Sequence, residues 1–373
     1  MTVSRRRLCA TALAGLLTAA GERPSDRSAS AAGEGGEARG TLKDIAHAKG
    51  LVFGSAAVPD DLSWPEYRQI LQADCAVVTP ELDLLLNRIV PAYGVYNFER
   101  ADAAMNLLRR LSLGVFGPTL IWQDYLRPWM KSLSKSECAR SMDDYIERMV
   151  SRYAGQVLTW NVVNEPCFFW KGSLDGLRPG PFSEALGPSY IEKAFKRARA
   201  VDPHTPLVLN EAFTERGDPV GQFTRKRLLR LIDELLDAGT PIQAIGLQGH
   251  LRPQFGVDLD GYAELLEALE RRRLDIHITE LDVEDVTFPR DVAERDAKVA
   301  ETYKAFLDVA LRTERLSHLA TWGVCDRLSF YNRADFAKKP GWASRPLLLD
   351  EQLTRKKAWY AVHEALQRMP ARR

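Results

Sequence analysis

Two glutamates, each closing a short apolar run, are the residues whose type and placement point first to chemistry. Glu165 ends Trp160-Asn161-Val162-Val163-Asn164-Glu165-Pro166, and Glu280 ends Ile278-Thr279-Glu280 ahead of Leu281-Asp282. Runs of this kind read as strands whose ends deliver a polar group. A facing pair of carboxyl groups is what cleavage of a glycosidic bond needs: one protonated to serve the leaving oxygen, one ionised to attack or stabilise the anomeric carbon. A single Glu after a strand is commonly an ion-pair partner or a neighbour of a helix cap. Two at matching strand ends, accompanied by further polar and aromatic strand-end residues, are much harder to reach by chance. His250 closes Ile245-Gly246-Leu247-Gln248-Gly249-His250. It adjoins the run that carries Glu280, where an imidazole could orient that carboxylate and tune its ionisation. Trp122 and Trp322 end two other runs and offer flat apolar faces on which sugar rings stack.

The elements that must position these groups follow a regular rhythm. Eight apolar runs are centred on 51–54, 75–78, 115–122, 157–163, 207–209, 244–247, 276–278 and 319–322. Amphipathic stretches at 101–113, 136–153, 183–201, 223–238, 262–272 and 293–311 alternate with them and predict helices, with Asp202-Pro203 and Gly239 as helix ends. Repeated βα units of this number predict an α/β fold, a closed (β/α)8 TIM barrel, in which reacting groups sit at the C-terminal strand ends. The open, doubly wound alternative would carry a glycine-rich phosphate loop after its first strand. Gly54-Ser55-Ala56-Ala57-Val58 has no such pattern, so nucleotide binding is unsupported.

Composition sets the remaining bounds. Hydrophobic residues at 45% and charged residues at 27% describe an ordinary globular chain, and 373 residues suffice for one barrel. A net charge of +1 offers no basic field for a nucleic acid, and an uncharged partner fits it. Cys9, Cys75, Cys138, Cys167 and Cys325 stand far apart with no metal-ligand spacing, so no metal site is expected, and the last four are expected as free, buried thiols. An exported compartment would still permit one disulfide. Ser4-Arg5-Arg6-Arg7 runs into an apolar stretch ending at Ala20, too short to span a bilayer and resembling a twin-arginine export signal; an ordinary Sec signal is the alternative. Small residues permit cleavage after Ala20 or Ala31. Residues 1–40 are therefore read as export signal plus disordered linker and 41–373 as the catalytic barrel, a periplasmic or secreted monomer with no membrane contact after signal removal.

Over 41–365 the motifs resemble those of glycoside hydrolase family 10, best known for endo-1,4-β-xylanases. They are Val78-Thr79-Pro80-Glu81, Thr119-Leu120-Ile121-Trp122, Trp160 to Glu165, Gln248-Gly249-His250, Ile278 to Asp282, Thr321-Trp322-Gly323-Val324 with Asp326, and Pro346 to Glu351. The resemblance implies a retaining endo-hydrolase of a β-1,4-linked polysaccharide that needs no cofactor, with Glu165 as acid/base and Glu280 as nucleophile. Glu81, Trp122, Asn164, Asn210, Gln248, His250 and Trp322 would then contact substrate or support the nucleophile, with Asp282 behind them. The chain also departs from the family pattern. Where the family usually reads Glu-Asn-x-Met-Lys this chain has Glu81-Leu82-Asp83-Leu84-Leu85. Pro118 and Gln123 replace two histidines around Trp122, and Phe330 stands where a tryptophan is frequent. Lost polar contacts to the glycone, the sugars on the non-reducing side, put plain xylan in question as the best substrate. Two other readings stay open: a non-catalytic carbohydrate-binding barrel, which the retained acid/base pair argues against, and a transglycosylase or hydrolase acting on a bacterial exopolysaccharide.

Overall fold

The computed structural model describes residues 40–333 and 341–372. The expected export signal and linker, Gly40 apart, lie outside the described residues. Among the described residues eight parallel strands close into a barrel. These are β1 (Val52–Ala57), β2 (Val77–Pro80), β3 (Gly114–Trp122), β4 (Thr159–Asn164), β5 (Leu207–Glu211), β6 (Ala244–Leu247), β7 (Asp275–Val283) and β8 (Leu316–Thr321). Each pairs with its successor, and β8 returns to β1 with His318 opposite Val52 and Thr321 opposite Ser55, so no edge is left open. The expected (β/α)8 architecture is the one observed. His250–Leu251 continues beyond β6 and pairs with Asp282–Val283 of β7.

The strands are apolar because both of their faces are covered, by helices outside and by packed side chains within. All five residues of β5 are buried, including Asn210 and Glu211. Helices begin where the sequence supplies caps. Ser134 and Glu137 form a capping box ahead of Lys135–Arg152, and Asp218 accepts from Gly221 N ahead of Pro219–Asp237. The single helix predicted over 183–201 is instead two, Pro181–Leu186 and Ser189–Val201. Gly187 turns the chain at φ 66°, and Pro188 lacks the amide hydrogen that would continue the ladder. Strand β7 outruns its predicted apolar core because Thr279, Glu280 and Asp282 are buried polar residues that hydropathy does not read as strand.

Cys75, Cys138, Cys167 and Cys325 are buried, free thiols, as expected. The barrel interior below the site holds Phe116 stacked on His318, with ring centroids 3.9 Å apart, and edge-on to His277. Burial drives the His277 imidazole down to about 3 and, with His277 beside it, His318 in the same direction. Both rings are thus neutral, apolar fillers of the barrel.

Candidate active site

The C-terminal strand ends surround a cavity of about 560 Å³. Every residue the sequence marked is brought to it: Glu81, Trp122, Asn164, Glu165, Asn210, Gln248, His250, Glu280 and Trp322 line the cavity, and fully buried Asp282 lies behind His250. Leu82 and Leu85 line it too, whereas Gln123 is buried away from the lining.

The backbone that presents these groups is strained. Leu82, Glu165 and Phe213, just past β2, β4 and β5, have φ of 68°, 50° and 63°. Each costs on the order of 1 kcal/mol or more for a side-chain-bearing residue. At Glu165 the surroundings enforce the turn. Its N–H donates to Asn210 O at 2.8 Å, its carbonyl accepts from Arg178 Nε at 2.7 Å, and Cys167 N–H donates to Glu211 Oε2 at 2.9 Å. Two glycines make room nearby. A Cβ at Gly246 would stand 2.1 Å from Asn210 Oδ1, and Gly249 takes φ 78° to lead from Gln248 to His250.

A continuous set of hydrogen bonds joins the two carboxyl groups. Gln248 Nε2 donates to Glu165 Oε1 at 2.9 Å and Trp122 Nε1 to Glu165 Oε2 at 3.3 Å, with Arg178 Nη2 3.1 Å from the same oxygen. Across the cavity Asn210 Nδ2 donates to Glu280 Oε1 at 2.9 Å, and His250 Nε2 to Glu280 Oε2 at 3.1 Å. Asn164 links the halves: its Nδ2 reaches Glu165 Oε1 at 3.4 Å, and its Oδ1 accepts from Asn210 at 2.8 Å and from Asn161 at 3.2 Å. Thr279 Oγ1 donates to Asn210 Oδ1 at 2.8 Å and so fixes which way that amide faces.

The two carboxyls sit in different electrostatic settings. Burial pushes Glu165 above the usual carboxyl range, against the pull of Arg178 and Gln248, and the Glu280 charge pushes it the same way. Desolvation would lower His250, but Asp282, whose Oδ2 is 2.9 Å from Nδ1, and Glu280 outweigh it and hold the imidazole at about 10. His250 is therefore a cation that donates from both nitrogens. Tyr331 OH donates to the other Asp282 oxygen at 3.3 Å. Beneath the Glu165 turn, burial raises Glu211 to about 7.

Arg178, Glu211, Tyr331, Asn161, Thr279 and Arg333 are site residues that sequence reasoning did not select. Asn161 and Thr279 lie inside motifs that were read, but no role was drawn from either residue. Arg178 and Arg333 come from long connections after β4 and β8, where no periodicity marks a residue as facing the cavity. Trp122 has one face covered by Tyr125, with centroids 4.3 Å apart, and Trp322 and Phe330 meet the His250 ring edge-on.

A closed barrel with two carboxyl groups joined across its C-terminal mouth defines the class of barrel glycoside hydrolases. Residues 41–365 match the model of "Glycosyl hydrolase family 10", and the chain belongs to that family. It is 27% identical over 331 residues to endo-1,4-β-xylanase B of Thermotoga neapolitana, covering 87% of this chain and 91% of the relative. To the β-1,4-xylanase of Dictyoglomus thermophilum it is 29% identical over 317 residues, covering 83% and 87%. Among solved structures it is similar to native xylanase 10B from Thermotoga maritima, at TM-score 0.77 and 28% identity, covering 88% of this chain and 98% of that one. Xylanase 10B from Thermotoga petrophila RKU-1, in complex with xylobiose, gives the same TM-score and identity, covering 88% and 97%.

Proposed function

We propose that this glycoside hydrolase is a retaining endo-β-1,4-glycanase of the xylanase type. The observation that carries the proposal is the pairing of a carboxyl held toward its protonated form, Glu165, with one that accepts from Asn210 and cationic His250, Glu280. In the first step Glu280 attacks the anomeric carbon, the glycosidic bond breaks, and the leaving oxygen takes the Glu165 proton. In the second, water gives a proton to Glu165 and its oxygen displaces Glu280, so the sugar leaves with its original configuration. Asn164, between the two carboxyls, is placed to accept or donate at the hydroxyl next to the reacting carbon. Similarity to xylanases at under 30% identity supports the substrate class.

The test is release of new reducing ends from xylans, mixed-linkage and other β-glucans, mannan and bacterial exopolysaccharides, with E280Q as control. Release from xylan that vanishes in E280Q is expected. Release confined to another polymer would replace the substrate, and binding without release from any polymer would replace enzyme by binding protein. Export by residues 1–40 belongs to the same proposal. Fractionation of cells expressing the full chain and an R5K/R6K variant tests it, retention of the variant in the cytoplasm being expected for the twin-arginine route.

A further inference from the structure

Asp282 is fully buried, and a carboxylate withdrawn from water needs donors on both of its oxygens. Two side-chain donors reach it among the described residues. His250 Nδ1 lies 2.9 Å from Oδ2. The other donor is Tyr331, in the connection after β8, whose hydroxyl gives to Oδ1 at 3.3 Å, at the long end for such a bond. Desolvation and the Asp282 charge hold the Tyr331 pKa well above the usual phenol value, so the proton stays on the oxygen and is there to be donated. The Arg252 guanidinium, which also acts on this phenol, has no lone pair to receive that proton.

The chain after β8 is built to keep the hydroxyl in place. Phe330–Asn332 is one turn of 3-10 helix, and Ser329 Oγ accepts from Tyr331 N at 3.3 Å. Asn332 ties the turn down on two sides: its Nδ2 donates to Asp326 O and to Ser344 O, each at 2.8 Å, and its Oδ1 accepts from Ser344 N at 2.9 Å. The Tyr331 ring lies against Phe330, with centroids 4.0 Å apart, and Phe330 meets the His250 ring at 5.4 Å. One short turn therefore touches both members of the His250–Asp282 pair, the imidazole through Phe330 and the carboxylate through Tyr331.

We infer that Tyr331 is a positioning residue: its hydroxyl fixes Asp282 as the charged partner of His250 and, through His250, sets the hydrogen bond given to Glu280. Its effect on turnover rests on the glycanase reading. A carboxylate with a second donor is a weaker base, so it leaves the Nδ1 proton on the imidazole, and Nε2 stays a cationic donor to Glu280. Without the hydroxyl that proton moves toward Asp282, and the donation to Glu280 weakens. The other charges acting on these groups, Glu215, Arg252 and Glu284, are retained in Y331F, which removes a single oxygen. The experiment is proton NMR of the chain carrying 15N-labelled histidine, with the His250 Nδ1 proton identified by its loss in H250Q, beside kinetics on an aryl β-xylobioside. In Y331F that resonance should move downfield, as a more evenly shared proton does, and kcat should fall about three- to tenfold with KM changed by less than about twofold. An unmoved resonance overturns the inference whatever the rate does, and so does a moved resonance with wild-type kcat. Movement of the resonance in a chain that cleaves no glycoside leaves the contact of Tyr331 with the pair standing and overturns the glycanase reading instead.

Discussion

The β4–β7 arc of the barrel mouth and the wall built after β2 and β8 handle polar groups in opposite ways. On the arc each carboxyl oxygen of Glu165 and Glu280 meets a donor, and the two donors to Glu280 are held in turn, Asn210 by Asn164 and Thr279 and His250 by Asp282. On the wall a carboxylate is shared with one arginine, two leucines face the cavity, and Arg88 has no hydrogen-bond or ion-pair partner among the described residues. Groups that break a bond must be held to a fraction of an ångström by packed neighbours, whereas groups that choose a sugar can change one by one without unmaking the fold. On the proposed mechanism the arc holds the residues that would break the bond, whereas the wall carries Leu82 and Leu85 where the family usually has polar residues.

The sharpest way to break the contrast is to remove the chemistry from the arc. E280Q should lower kcat on any cleaved polymer by on the order of 10^4 or more, with binding retained; activity near wild type would remove Glu280 from the nucleophile role. Glu165→Ala should cost about 10² to 10⁴ on polymers but far less on aryl glycosides whose leaving group needs no proton, and equal losses on both would count against the acid. His250→Ala deletes the cation that donates to Glu280. A fall in kcat of roughly ten- to a hundredfold is expected with the circular dichroism spectrum unchanged, and wild-type kinetics would make the residue merely structural.

Subtler changes test the tuning. Glu165 must be protonated for the first step, so activity falls as pH rises through its raised pKa. Gln248 lowers that pKa, and in Q248M the basic limb of kcat/KM should move to higher pH by a few tenths to about one unit; a shift to lower pH would reverse the assignment. The smallest effect concerns the barrel interior. His277 is near 3 when folded against 6.5 when free, so the unfolded chain binds the extra proton as pH falls. The stability this imidazole contributes is complete above about 6.5 and is lost between 6.5 and 3. Chemical denaturation from pH 7 to 4 should show that loss, with a shallower slope in H277Q.

The barrel was legible because eight apolar runs alternate with amphipathic stretches, and the carboxyl pair because Glu165 and Glu280 close two of those runs. His250 could be read beside Glu280 from strand order alone. What stayed hidden has particular causes. Glu280 and Asp282 extend β7 past its apolar residues, because the buried network satisfies polar atoms that hydropathy assigns to a loop. Arg178 reaches Glu165 from a connection with no repeating pattern, and the positive φ at Glu165 is carried by no glycine, so nothing local announced it. The wall was visible as Glu81 and as departures at Leu82, Leu85 and Phe330, but not as an ion pair. That Arg333 occupies Glu81 depends on a pairing across 252 residues of chain.

The central claim is that Glu280 forms a covalent bond to the sugar while Glu165 assists. Its most direct test is intact-protein and peptide mass spectrometry after incubation with 2,4-dinitrophenyl 2-deoxy-2-fluoro-β-xylobioside, whose good leaving group permits the first step and whose fluorine slows the second. One glycosyl group per chain, on the peptide containing Glu280 and absent in E280Q, is the predicted result. Label on a different residue, or none from an enzyme that visibly cleaves its polymer, would contradict the account.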